Sequence, residues 1–154
     1  MFDVPLDAWY VWLGLIAASA TALGVASAVP GTPAPDAAGA AETVDRTAVS
    51  QYDAVGEHPL SNAEAVRIGA DSMSLRGPGG TAHEPIGHGP VTPVDDGPLR
   101  RVLLGEPPDR VFRSPSALAA AAAGARDAEP TWRETDHLLV RTVTWENVDV
   151  TLVG

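Results

Sequence analysis

HLLVRTVTWENVDVTLV, residues 137–153, carries the strongest strand pattern in the chain. Up to Trp145 the apolar set stands at odd positions, Leu139, Val143 and Trp145; from Val148 it moves to even ones, Val148, Val150 and Leu152. Strand side chains alternate between two faces, so this parity shift scatters the apolar set unless the chain reverses. A two-residue loop at Glu146-Asn147 restores it: Trp145 then lies opposite Val148, Val143 opposite Val150 and Arg141 opposite Leu152, a hairpin with one apolar face. A β-bulge would do the same, since Glu-Asn is not a favoured tight-turn pair.

Outward from the hairpin, Ser114-Pro115 marks a helix start, and the alanine run from 117 to 123 continues it until Gly124, predicting a short helix over 115–124. Residues 99–104 read as a strand closed by Glu106-Pro107-Pro108-Asp109. The stretch 58–94 reads as short strands and tight turns. Strands at 65–68 and 72–76 precede the turn Gly77-Pro78-Gly79-Gly80, and 81–86 and 90–94 are edge strands because their prolines cannot donate to a central ladder. Asp36 is placed to cap an amphipathic helix over 36–52, whose apolar stripe is Ala37, Ala41, Val44, Ala48 and Tyr52.

Ahead of that helix, residues 8–35 contain no charged side chain, and 8–29 are almost wholly apolar. A helix needs roughly 20 apolar residues to cross a hydrocarbon core of about 30 Å, so 1–29 is expected to form one transmembrane helix contacting membrane lipid. Pro5 and Asp7 suit its first turn, and Trp9, Tyr10 and Trp12 cluster as an aromatic belt at headgroup level does. Gly14, Ala18, Ala22 and Ala26 form one row of small residues, and Ala20, Gly24 and Ala28 another. Rows of this kind let helices in lipid approach closely, so Gly14, Ala18, Ala22 and Gly24 are candidate association positions for a homo- or hetero-oligomer. Pro30 to Pro35 form a proline-rich break. Ala26-Ser27-Ala28 also matches a signal-peptidase site, so cleavage after Ala28 is the competing reading; the lack of a basic n-region favours a retained anchor.

The expected fold class is therefore α+β: an N-terminal transmembrane helix, an amphipathic helix, then a small antiparallel β-sheet domain with one short helix, with 36–154 as an acidic domain. All ten basic residues are arginine, set against twelve Asp and eight Glu for a net charge of −10. This balance, with no Lys and no Cys, resembles proteins of extremely halophilic archaea; an acidic protein of a high-GC bacterium is the alternative. Phosphate backbones need a basic face, and Arg100-Arg101 is the sole adjacent basic pair, so nucleic acid is not an expected partner. Without cysteine there is neither a disulfide nor a thiolate site.

His83-Glu84-Pro85-Ile86-Gly87-His88 approaches the H-E-x-x-H zinc motif but has three residues between Glu and the second His, and Pro85 and Gly87 oppose the helix it needs. Only a loop could gather His83, Glu84 and His88 around a metal, and solvated loop histidines are the simpler reading. Asp95-Asp96-Gly97 lacks the spaced ligands of a calcium loop, and Ser114 and Ser116 lack a nucleophile-elbow context. No cofactor and no catalytic residue are expected.

An apolar amino-terminal segment, an amphipathic continuation and a small antiparallel sheet resemble the order in type IV pilins and pseudopilins. More narrowly, MFDVPLDAWYVWLG, residues 1–14, resembles the start of a family of small haloarchaeal membrane proteins of pilus-type secretion loci. The resemblance implies a non-enzymatic structural or accessory component of a cell-surface or secretion apparatus, with pilus or secretion subunits as partners and the carboxy-terminal domain extracytoplasmic. The chain departs from the pilin pattern in lacking a basic leader and in having Pro5 where a mature pilin has Glu. A membrane-tethered extracytoplasmic domain that binds a ligand or partner is the alternative.

Overall fold

A computed structural model describes residues 31–50 and 52–154, and all described elements fall within residues 33–154. The terminal hairpin consists of β7 (His137–Trp145) and β8 (Val148–Val153), paired Trp145 to Val148, Val143 to Val150 and Arg141 to Leu152. Its two-residue loop sets Glu146 at φ 56°, a left-handed conformation that a non-glycine residue adopts at some cost. Both faces of the hairpin are covered. Leu138, Val140 and Val153 enter one core cluster, while Val143, Val150 and Leu152 enter a second. The sequence reading of a single apolar face is corrected here, because β7 places apolar residues at both parities.

β1 (Ala54–Pro59) pairs antiparallel with β7, and β5 (Thr92–Pro93) pairs parallel with β8, giving a first sheet of order β1-β7-β8-β5. The second sheet, β4-β3-β2-β6, is built from β2 (Ala65–Ile68), β3 (Ser72–Gly77), β4 (Gly80–Pro85) and β6 (Arg133–Glu134). Its inner residues Val66, Ile68, Met73 and Leu75 share the first cluster with Leu138, Val140 and Val153.

Helix α1 (Ala37–Ala48) supplies the rest of that cluster through Ala37, Ala40, Ala41 and Val44. These small side chains at spacings of three and four let the helix lie close to the sheet. The Asp36 carboxylate accepts from the Gly39 N–H at 2.9 Å, and Thr142 Oγ1 donates to the Thr47 carbonyl at 3.0 Å. The helix stops before Tyr52, whose side chain is 80% exposed, so the buried stripe continues to Thr47 and not to Tyr52. Asp36→Ala is expected to lower stability by about 1 kcal/mol in a denaturant titration, the usual effect of losing a cap.

The second cluster lies under α2 (Gly97–Leu103) and α4 (Pro115–Asp127), with α3 (Pro108–Val111) between them in sequence. Residues 97–103 are helical, not the expected strand. Leu99, Val102 and Leu103 recur at helical spacing and are buried, and Pro98 stands in the first turn. In α4 the Ser114 hydroxyl accepts from the Ala117 N–H, but Gly124 does not end the helix, which runs on to Asp127. A Cβ added at Gly124 meets no atom within 4 Å. Gly124→Ala should therefore raise stability by about 0.5–1 kcal/mol, measurable as a higher midpoint of thermal unfolding.

The expected fold class is corrected accordingly. The described architecture is α+β with two small sheets and four helices, and among the described residues no helix is long and apolar enough to cross a membrane. The span expected at 8–29 lies outside the described residues.

Candidate functional site: a cation–aromatic face on the second sheet

Because Val66, Ile68, Met73 and Leu75 turn into the core, alternation sends their neighbours to the outer face of the second sheet. Cross-strand register sets Arg67, Ser74 and His83 in one row, and Ala65, Arg76 and Thr81 in the next. β6 adds Glu134 opposite Ala65 and Arg133 opposite Val66, which brings Trp132 to the edge of this face.

The Arg67 guanidinium carbon lies 5.0 Å from the centroid of the Trp132 ring, and that of Arg76 lies 4.6 Å from it. Such contacts contribute about 0.5–1 kcal/mol each at exposed sites and hold the guanidinium groups near the indole. Ala65 and Ser74 are each only 3% exposed although they face outward, as expected beneath stacked side chains. Ser74 Oγ lies 2.9 Å from His83 Nδ1. Beside the stack is a depression of about 250 Å³ between Arg67, Ser72, Ser74, His83 and Glu129.

Arg133 anchors the strand that presents Trp132. Its Nη1 donates to the Val94 carbonyl at 2.8 Å, and its Nε pairs with Asp95 at 2.8 Å. Burial pulls this guanidinium below its usual range while the Asp95 carboxylate acts in the opposite direction. Arg46 and Arg101 are also committed, to Glu42 at 2.9 Å and Glu106 at 2.6 Å. Arg67 and Arg76 make no carboxylate pair among the described residues, although Glu134 shares their face and Glu129 lines the depression beside Arg67.

The sequence candidates for a metal do not come together. His83 and Glu84 are successive residues of β4 and point to opposite faces. His88 lies in the following loop, held to α1 because Asp45 accepts from the Gly87 N–H at 3.1 Å and the His88 N–H at 2.8 Å. Among the described residues no group of three or more His, Cys, Asp or Glu is placed to hold a metal ion. Trp9, Tyr10, Trp12, Gly14, Ala18, Ala22 and Gly24 lie outside the described residues. Sequence reasoning missed the stack itself, although the alternation in Ala65-Val66-Arg67-Ile68 and Ser72-Met73-Ser74-Leu75-Arg76 already puts both arginines on one face.

A family model described as "Family of unknown function (DUF7283)" matches residues 3–143. The chain belongs to this family. The DUF7283 match takes in the apolar stretch 8–29, Arg67, Arg76, Trp132 and most of β7. No curated protein and no solved structure matches the chain.

Proposed function

We propose that this chain is a non-enzymatic accessory or structural component of a pilin-like cell-surface or secretion apparatus, held at the membrane by its apolar amino-terminal stretch. Its acidic domain then stands on the extracytoplasmic side and acts by engaging a partner. The observation that carries the reading is the Arg67–Trp132–Arg76 stack, which has the chemistry of a recognition surface: aromatic area and guanidinium groups free of carboxylate partners among the described residues. The family match spans both the stretch 8–29 and most of the domain, so the two recur together in the family's sequence pattern. A charge of −10 with no lysine accords with an extremely halophilic source. The depression beside Ser74 and His83 favours a second reading, a tethered domain that binds a ligand.

Crosslinking in the full chain tests the two. Photo-reactive probes at Gly14, Ala18 and Ala22 are expected to capture a pilin or platform subunit from the membrane fraction, and a probe at Thr81 to capture whatever contacts the stack. Capture at Thr81 alone shifts the function to the tethered binding domain. Full-length chain recovered wholly in the aqueous fraction removes both.

A further inference from the structure

A depression of about 570 Å³ lies on the first sheet, within the size range of small-molecule sites. Thr142 and Thr151 stand opposite each other across β7 and β8, as do Thr144 and Asp149, so all four share one face. It is the face that α1 covers, since Thr142 Oγ1 donates to the Thr47 carbonyl. α1 stops at Ala48, and past its end the depression is lined by Ser50, Thr144, Asp149 and Thr151. Buried Thr142 forms the floor, its Oγ1 lying 3.2 Å from Thr151 Oγ1.

The walls are held in place. His88, Gly89 and Pro90 make one side, and their loop is pinned at both ends and in the middle. The Ile86 N–H donates to the Asp71 carbonyl at 2.9 Å and the Val91 N–H to the Ala70 carbonyl at 2.8 Å, while the Asp45 carboxylate takes the N–H groups of Gly87 and His88. Arg126 closes another side from the last turn of α4, a helix that packs on the opposite face through Leu118 and Ala122. β5 pairs only with Leu152 and Val153, so the edge of β8 at 149–151 leaves room for this approach.

The two opposite charges in this lining are not spent. Neither Arg126 nor Asp149 makes an ion pair among the described residues, with each other or with Asp127. Two more carboxylates stand behind the walls. Asp45 lies 3.6 Å from His88 Nδ1, and Asp53 accepts from the Thr144 N–H at 3.0 Å. A purely anionic ligand would meet Asp149 and these neighbours, and a purely cationic one would leave the Arg126 guanidinium unanswered. A ligand carrying both charges satisfies both. No aromatic ring lines the depression, so it lacks the surface on which a quaternary ammonium or a planar base would sit. It offers oxygen acceptors instead, which suit the three N–H donors of a primary ammonium.

We propose that this depression binds a small zwitterion with a primary ammonium and a carboxylate, of the class of a free amino acid or a short peptide. Arg126 takes the carboxylate through paired N–H donors, and Asp149 takes the ammonium with the Thr144 and Thr151 hydroxyls beside it. The site shares no residue with the Arg67–Trp132–Arg76 stack or the depression next to it, so either can fail without the other.

Calorimetric titration of the full-length chain in mild detergent at fixed ionic strength tests this with L-alanine and trialanine as probes. Saturable binding of L-alanine supports a site for free amino acids, and binding of trialanine alone supports one for short peptides; binding of neither overturns the proposal. Blocking either end of the bound probe, by N-acetylation or by amidation, should weaken it roughly tenfold or more, the loss of one charge-assisted contact. Arg126→Gln should weaken the free probe by a similar factor and leave the amide unchanged, whereas Asp149→Asn should leave the acetylated probe unchanged. Asp149 is exposed and Arg126 half-buried, so both variants should keep the circular dichroism spectrum of the parent chain. Free-probe binding that survives either substitution, or blocked probes that bind the parent chain as tightly as the free one, overturns the assignment.

Discussion

Leu152→Ala is expected to lower the unfolding free energy by about 4 kcal/mol, read as a shift of the guanidinium midpoint at fixed salt. Leu152 is fully buried in β8 and lies between Arg141 of β7 and Thr92 of β5. It belongs to the second cluster, with Leu118, Val102 and Val150. Both neighbouring strands and the helices above are fixed by their own pairings, so the space left by the lost methyl groups cannot collapse. The cost of a cavity then adds to the cost of transfer. Leu104→Ala removes the same atoms from a residue that is 64% exposed and should change stability by under about 0.5 kcal/mol. A loss below about 1 kcal/mol at Leu152 would show that the two sheet–helix layers are less closely packed than described.

Gly77→Ala should cost about 2–3 kcal/mol, a large effect for one added methyl group. Its Cβ would collide with the Asn62 carbonyl oxygen and lie 3.2 Å from Ala63 Cα. The obstacle is backbone, and that backbone is tied down: the Glu64 N–H donates to the Arg76 carbonyl at 2.8 Å, and β2 and β3 are in fixed register. Relief requires moving a strand, so overpacking is not absorbed by a rotamer change. The rise expected for Gly124→Ala gives the contrast within one protein. If Gly77→Ala unfolds at the wild-type midpoint, the close approach of residues 62–63 to β3 is wrong.

Local pattern was enough wherever one element carried its own signal. The hairpin at 137–153 was legible because parity leaves few ways to hide six apolar side chains. Asp36 and Ser114 were legible as caps for the same reason: the capping hydrogen bond lies within three residues. Leu99, Val102, Leu103 and Leu104 misled because four apolar residues in six satisfy a short strand as well as a helix, and only the exposure of Leu104 separates the two. β1 was not legible. Ala-Val-Gly-Glu-His-Pro has little strand propensity, and it is extended because β7 offers it a ladder. The candidate site failed to appear for a related reason: Trp132 meets Arg67 and Arg76 through the pairing of β6 with β2, across about half the domain sequence. The sequence offers His83 as a solvated loop histidine, whereas it belongs to that face through Ser74.

The first sheet and the helix packed on it join residues far apart in sequence. Asp53 accepts from the Thr144 N–H across 91 residues, and Thr142 reaches the Thr47 carbonyl across 95. During synthesis, α1 and β1 emerge early and wait with their apolar sides uncovered until residue 153 has cleared the ribosome. Closure thus waits for the hairpin, and a nascent chain stalled anywhere before it is exposed to chaperones and proteases as an open intermediate.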